Sequence, residues 1–314
     1  MDKYFSAISF DDGFANMLYS YRSSKHMTVG RIHSLFRRVV NFEGGDGQIY
    51  TIIDKSLDNG PYAVRVDFEK NDNLFGLEIK FNDEVVIEHN KLKLGAAISI
   101  KFDRCRIWQP PSIEKKPDEI DKKQLRDNID LYRRRLIDSQ IRGGCSYYHI
   151  KGIAGVELYK AVLMERELDR RIINFIASLK SGGSELEKDI IPLVGLGNGL
   201  TPSGDDFISG FISALGVIKD DRAKAAVERI KCVLKRSVIS TTDISRTMIN
   251  ASLEGKYRES IASFIGAILG RDMQELNLCI DKVLSIGSTS GADLSSGVVA
   301  GLAYGLNILE NGGL

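Results

Sequence analysis

The feature that most constrains this chain is a change of side-chain period at a proline-rich break. Before Pro110-Pro111-Ser112-Ile113-Glu114-Lys115-Lys116-Pro117 the apolar residues tend to recur at every second position, and after it at every third or fourth. A period of two belongs to a strand with one buried face, and a period near 3.6 to an amphipathic helix. Prolines and a charge cluster keep the break itself out of regular structure. The expected organisation is a β-rich domain at 1–110, a linker at 111–121 and a helical domain at 122–314 that carries the glycine-rich loops.

In the first part, Tyr62 to Glu69 alternates apolar and mostly polar residues. Leu77, Ile79 and Phe81 continue the pattern, and Ile98, Ile100 and Phe102 repeat it. Turn residues separate these runs at Gly44-Gly45-Asp46-Gly47, Asp58-Asn59-Gly60-Pro61, Asn71-Asp72-Asn73 and Asn82-Asp83. Short connections of this kind predict an antiparallel meander or a small barrel. In the second part, Ala161, Met164, Leu168, Ile172, Phe175 and Leu179 mark a helix that Gly182-Gly183 ends. Ala226, Ile230 and Val233 mark another, and Ile261, Phe264, Ile265 and Ile268 a third that stops at Gly270. Asp272 caps a fourth carrying Leu276, Ile280 and Val283. The predicted class is α+β.

Charge narrows the functions. The 43 Lys+Arg nearly balance 42 Asp+Glu, for a net charge of +1, which excludes a basic nucleic-acid coat protein. Tyr132-Arg133-Arg134-Arg135 is interleaved with Asp127, Asp130 and Asp138 and reads as a solvated helix face. No nucleic acid is expected as a partner. Four cysteines (Cys105, Cys145, Cys232, Cys279) show no paired spacing, which suits reduced thiols in the cytoplasm. The polar start MDKYFSAISFDD is no signal peptide, and no run of about 18 apolar residues predicts a membrane span. The histidines His26, His33, His89 and His149 show no zinc or triad spacing, so no metal ligand set is assigned.

The most informative segment runs from Ile190 to Phe207 as an apolar run, a glycine loop and the start of an apolar helix. Gly195-x-Gly197 continues to Leu200, so the dinucleotide fingerprint is incomplete. Gly199 and Gly204 have Walker spacing, but Asp205-Asp206 replaces Lys-Ser/Thr, which excludes a nucleotide P-loop. A second segment echoes the first 87 residues later: both Ser203–Gly210 and Ser290–Gly297 read Ser-Gly-x-Asp-apolar-x-Ser-Gly. Gly297, Gly301 and Gly305 lie along one helix face, so another backbone can approach it closely.

The expectation is that the two helices pack and bring both loops to one site for a small anion, with N–H groups from Gly197 to Gly204 as donors. The candidate catalytic residues are Asp205, Asp206 and Asp293. The candidate substrate-binding residues are Gly197, Asn198, Gly199, Thr201, Ser203 and Gly204 from the first loop, and Ser288, Thr289, Ser290 and Gly291 from the second. Acids in a first helical turn, and Ser203 and Ser290 as caps, would also serve a purely structural role. A third polar cluster, Ser240-Thr241-Thr242-Asp243 before a helix containing Ser245, is a candidate to join this site but reads better as a capped helix start.

Gly195-Leu196-Gly197-Asn198-Gly199-Leu200-Thr201-Pro202-Ser203-Gly204-Asp205-Asp206 resembles the signature of the H-subunit family of heteromeric oxamate carbamoyltransferase. Gly287-Ser288-Thr289-Ser290-Gly291-Ala292-Asp293 resembles the family's second signature, and Asn59-Gly60-Pro61 a turn in its N-terminal part. Two departures stand out: many members carry Pro where this chain has Asn198, and His where it has Ser288.

The resemblance implies a transferase subunit of anaerobic allantoin breakdown. Its reaction would convert oxamate and carbamoyl phosphate to oxalurate and phosphate, or the reverse. It implies two other subunits as partners and a small anion, such as carbamoyl phosphate or oxamate, as ligand. The alternatives are a non-catalytic assembly or regulatory subunit, and a stand-alone enzyme holding Mg²⁺ through Asp205, Asp206 and Asp293. No other cofactor is expected.

Overall fold

The structure, a computed structural model, describes residues 3–21, 26–68, 78–96, 98–153 and 161–311. Its contacts form two compact units, Met1–Pro110 and Pro111–Leu314.

The first unit contains β1 (Lys3–Phe10), α1 (Asp12–Ser20), β2 (His26–Leu35), β3 (Val39–Gly44), β4 (Ile49–Asp54), β5 (Ala63–Val66), β6 (Glu84–Glu88), β7 (Lys91–Leu94), β8 (Ile98–Lys101) and β9 (Arg106–Ile107). The strands follow the order β5-β4-β3-β2-β6-β7-β8-β1, and β1 pairs back onto β5 to close an eight-stranded barrel. Closure leaves these strands without open edges. β8 runs beside Lys3–Ser6 of β1, and β9 continues that ladder beside Ser9 and Phe10. Three pairings, β1–β8, β1–β9 and β4–β5, are parallel, and the others are antiparallel.

The short helix α1 fills the barrel. Its Phe14 is fully buried and meets Phe42 and Tyr50 edge-on, with centroids 6.2 and 5.8 Å apart. Asp11 caps α1 by accepting the N–H groups of Phe14 and Gly13, and accepts that of Ala63 at 3.1 Å, tying the helix to β5. The predicted strand over Ile79 and Phe81 is corrected: Ile79 is buried, but Phe81 is exposed and β6 begins only at Glu84. Asn82 adopts φ +70, and the Asp83 carboxylate accepts the Lys80 N–H, so these residues form a turn. Glu69, Asn71-Asp72-Asn73 and Leu77 lie outside the described residues.

The second unit contains α2 (Lys122–Asp138), α3 (Ser146–Ile150), α4 (Leu163–Lys180), α5 (Leu186–Ile190), α6 (Ser203–Gly216), α7 (Asp221–Arg236), α8 (Asp243–Leu253), α9 (Glu259–Ile268), α10 (Met273–Leu284) and α11 (Ser290–Asn311). Gly182 and Gly183 end α4 at positive φ, with the Gly183 N–H on the Ser178 carbonyl. Asp272 caps α10 through the N–H groups of Gln274 and Glu275. The segment before α2 lies along this unit: Lys115 bridges to Ile218, and Ile120 is buried.

At the centre of this unit α6 crosses α11, and glycines set how closely. A Cβ on Gly210 would fall on the Leu294 carbonyl, and one on Gly297 on the Phe207 carbonyl. Phe207 and Leu294 are themselves equivalent positions of the 87-residue echo, as are Gly210 and Gly297. The contact is therefore reciprocal, as across a local two-fold axis. Gly301 extends it, where a Cβ would come 2.9 Å from that of Ala214. By length and apolar composition α11 could cross a membrane, but 72% of that stretch is buried here, chiefly in the core.

Candidate functional site

The reciprocal crossing brings the two bends together. Thr201 Oγ1 lies 3.0 Å from Ser290 Oγ, linking the loop before α6 to the start of α11. Beneath them lie Asp206 and Asp293, which are 6% and 1% exposed. Each carboxyl has one buried oxygen, Oδ2, with no hydrogen-bond partner in the structure.

Burial drives both acids toward the neutral form. It pushes Asp206 well above the usual carboxylate range, and the neighbouring Asp293 charge adds to this, while the Ser290 and Thr201 hydroxyls oppose it. Burial also raises Asp293, but the Cys145 N–H opposes it, together with Ser203 and Thr289. The serines thus cross over: Ser290 of α11 serves the acid of α6, and Ser203 of α6 serves the acid of α11.

The symmetry is broken by a third wall. Gly143-Gly144-Cys145, just before α3, lies against Asp293. The Cys145 N–H donates to Asp293 Oδ1 at 2.6 Å. Gly144 sits at φ +60, and a Cβ there would strike the Asp293 carboxyl. The Gly143 N–H donates to Glu165 at 2.7 Å, which anchors the wall to α4. A backbone N–H holding Asp293 favours its ionised form, so of the two acids Asp206 is the one pushed further toward the neutral form. The Cys145 thiol is fully buried, donates to the Ser203 carbonyl, and is pushed up by burial and by Asp293. It is a neutral thiol, not a nucleophile.

Asp205 faces elsewhere. It accepts the Gly195 N–H at 2.8 Å and the Thr241 hydroxyl. Thr242 donates to the Leu200 carbonyl at 2.6 Å while capping α8 through the Ser245 N–H. The Ser240–Thr242 segment is therefore both a helix start and a clamp behind the glycine loop. The three acids do not converge, and no group of three or more His, Cys, Asp or Glu able to hold a metal occurs among the described residues.

Of the expected run of N–H donors, the last is already engaged, as are several beyond it. The Gly204 N–H donates to the Leu196 carbonyl at 2.8 Å, and those of Asp205 and Asp206 to the Pro202 carbonyl. On α11, the Gly291 N–H donates to Ile286 and that of Asp293 to Thr289. These groups are spent on tightening each bend. Gly197 sits at φ +128 against Ser203, while Asn198, Gly199 and Ser288 are exposed. Thr201, Thr289 and Ser290 are half-buried beside the acids.

Sequence reasoning missed the third wall and the histidine behind it. His149 is buried in α3, with Nε2 2.9 Å from the Ser296 carbonyl and Nδ1 unpartnered. Burial lowers it to about 4, so it is neutral. Tyr132 of α2 stands edge-on to it, with its hydroxyl 2.9 Å from Ser295 Oγ. The only available signal was Gly143-Gly144 followed by Cys145, which has no motif spacing.

A closed barrel and a helical unit, whose crossing repeats bury an acid pair, define this α+β protein. Residues 193–302 match the family described as oxamate carbamoyltransferase subunit AllH, and residues 6–107 match the AllH family N-terminal domain. The chain belongs to this family and is a subunit of the carbamoyltransferase type. No solved structure matches it.

Proposed function

We propose that the meeting of the two bends is the carbamoyl-transfer site, working on oxamate and carbamoyl phosphate or on the reverse pair. The observation that carries this reading is the unequal acid pair beneath Thr201 and Ser290. One acid is held by the Cys145 N–H and the other is kept neutral by burial. Such a split suits a base and a hydrogen-bond donor in one pocket.

In this reading the substrate amide nitrogen attacks the carbamoyl carbon. A C–N bond forms, and the C–O bond to phosphate breaks. Asp293 takes the proton from the nitrogen and returns it to the departing phosphate. Neutral Asp206 donates a hydrogen bond to the carbamoyl oxygen as negative charge builds on it, the role an oxyanion donor plays. Thr201, Thr289 and Ser290 supply hydroxyls, and Gly197, Asn198, Gly199 and Ser288 form the mouth. Ser203, Gly204 and Gly291 shape the bends, and Asp205 positions the first loop.

Other subunits are partners in this proposal, and the cytoplasm is the compartment, in keeping with four free cysteines. A non-catalytic assembly role is the second reading. Val162 and Leu163, at the start of α4 near the Glu165 anchor, are 60% and 85% exposed and favour it.

Calorimetric titration of the chain with carbamoyl phosphate, alone and with its partner subunits, tests the proposal. Binding weakened by Asp206→Asn or Asp293→Asn supports it. No binding in either setting supports the assembly role. Magnesium uptake abolished by Asp206→Asn would instead revive the metal reading.

A further inference from the structure

The barrel unit carries a cavity of about 310 Å³ beside α1. That is the small end of the range for ligand clefts, ~300–1,000 Å³. Its apolar side is formed by Phe10, Leu18, Ile87 and Phe102. The Phe10 and Phe102 rings lie 6.1 Å apart and tilted, and Ile87 is buried behind the opening. Cys105 adds a thiol that burial pushes up to about 12, so that wall is uncharged.

Two opposite charges stand on the rim, Lys91 and Asp103. Asn90 Nδ2 donates to Asp103 Oδ1 at 3.0 Å, which holds the carboxylate from the β6–β7 turn. The Lys91 ammonium lies 5.3 Å from the centroid of the Tyr4 ring, a face it shares with the Lys101 ammonium at 4.8 Å, so this end of the cavity is positive. His89 lines the same cavity from the first position of the two-residue turn between Glu88 and Lys91, at φ +57. Glycine holds that conformation without cost, and this chain places an imidazole there instead.

We propose that this cavity binds a small zwitterionic amino acid with an apolar side chain. Lys91 takes the carboxylate, Asp103 the ammonium, and the Phe10–Ile87–Phe102 wall the side chain. A ligand with one charge meets one rim group of its own sign, which selects against simple acids and simple amines. The site lies within the barrel unit and does not depend on the carbamoyl-transfer reading.

Calorimetry of the full chain with L-leucine, 4-methylpentanoate and 3-methylbutylamine tests it. The expected result is saturable binding of leucine at one site, with each analogue weaker by about tenfold or more. Lys91→Gln and Asp103→Asn are each expected to weaken leucine by a similar factor, with unchanged thermal melting showing that the barrel is intact. No leucine binding at millimolar concentration overturns the proposal. So does leucine binding no tighter than either analogue, or binding that both variants leave unchanged.

Discussion

The amide nitrogen of Cys145 lies 2.6 Å from Oδ1 of Asp293, although 148 residues separate them. This bond distinguishes two acids that the local two-fold arrangement would otherwise make alike. It also shows that three chain segments, not two, meet at the acid pair.

The reciprocal glycines make a stability prediction. Gly210→Ala drives a methyl into the Leu294 carbonyl and is expected to cost about 1–3 kcal/mol or more, as overpacking does. Gly216, at the end of the same helix, has open space around it, so Gly216→Ala is expected to stabilise by about 0.4–1 kcal/mol. Urea denaturation of both variants checks the contrast. Equal effects would remove the close-crossing argument.

Asp205 is expected to act through loop order. Asp205→Ala leaves the Gly195 N–H and the Thr241 hydroxyl without their acceptor and is expected to cost about 1–3 kcal/mol. Hydrogen exchange of the Gly195 amide should rise sharply. An unchanged exchange rate would show that the carboxylate does not hold the loop.

The buried groups predict opposing pH effects. Asp206 is raised well above 3.8 in the folded chain, so the native state holds a proton that the unfolded state has lost. Its contribution is fully present below the unfolded value and falls away as pH rises through the folded one. His149 is lowered from 6.5 to about 4, so its contribution is present above 6.5 and is lost as pH falls toward 4. Urea unfolding from about pH 3 to 8, a window around both reference values, checks this. Asp293 and Asp205 are raised as well, and Glu167 is lowered, so Asp206→Asn should make the alkaline decline shallower and His149→Gln the acid decline shallower. A slope identical to that of the parent chain in either variant would contradict the corresponding burial.

Much of this fold is legible because local rules and packing agree. Gly182-Gly183 and Asp272 stop and start helices by their own chemistry, and the structure finds them there. The Ser-Gly-x-Asp echo exposed the crossing because close approach needs small residues at matched positions. Phe81 misled because apolar character alone does not make a strand beside Asn82-Asp83. The pairing of β5 with β1 and the placement of α1 depend on contacts distant in sequence. Asp205 and Asp206 looked equivalent as neighbours, yet successive residues of a helix face about 100° apart, so only one turns toward Asp293. The Gly144-Cys145 wall uses a backbone N–H, which leaves no side-chain signature.

The most direct test of the central claim is the rate of carbamoyl transfer by the complex assembled with Asp293→Asn or Asp206→Asn. Asp293→Asn removes the base and is expected to lower kcat about 100- to 10,000-fold. Asp206→Asn keeps a donor at that position and is expected to stay within about tenfold of the parent. Two folded, assembled variants that both turn over at the parent rate would contradict a shared acid pair at the meeting of the bends.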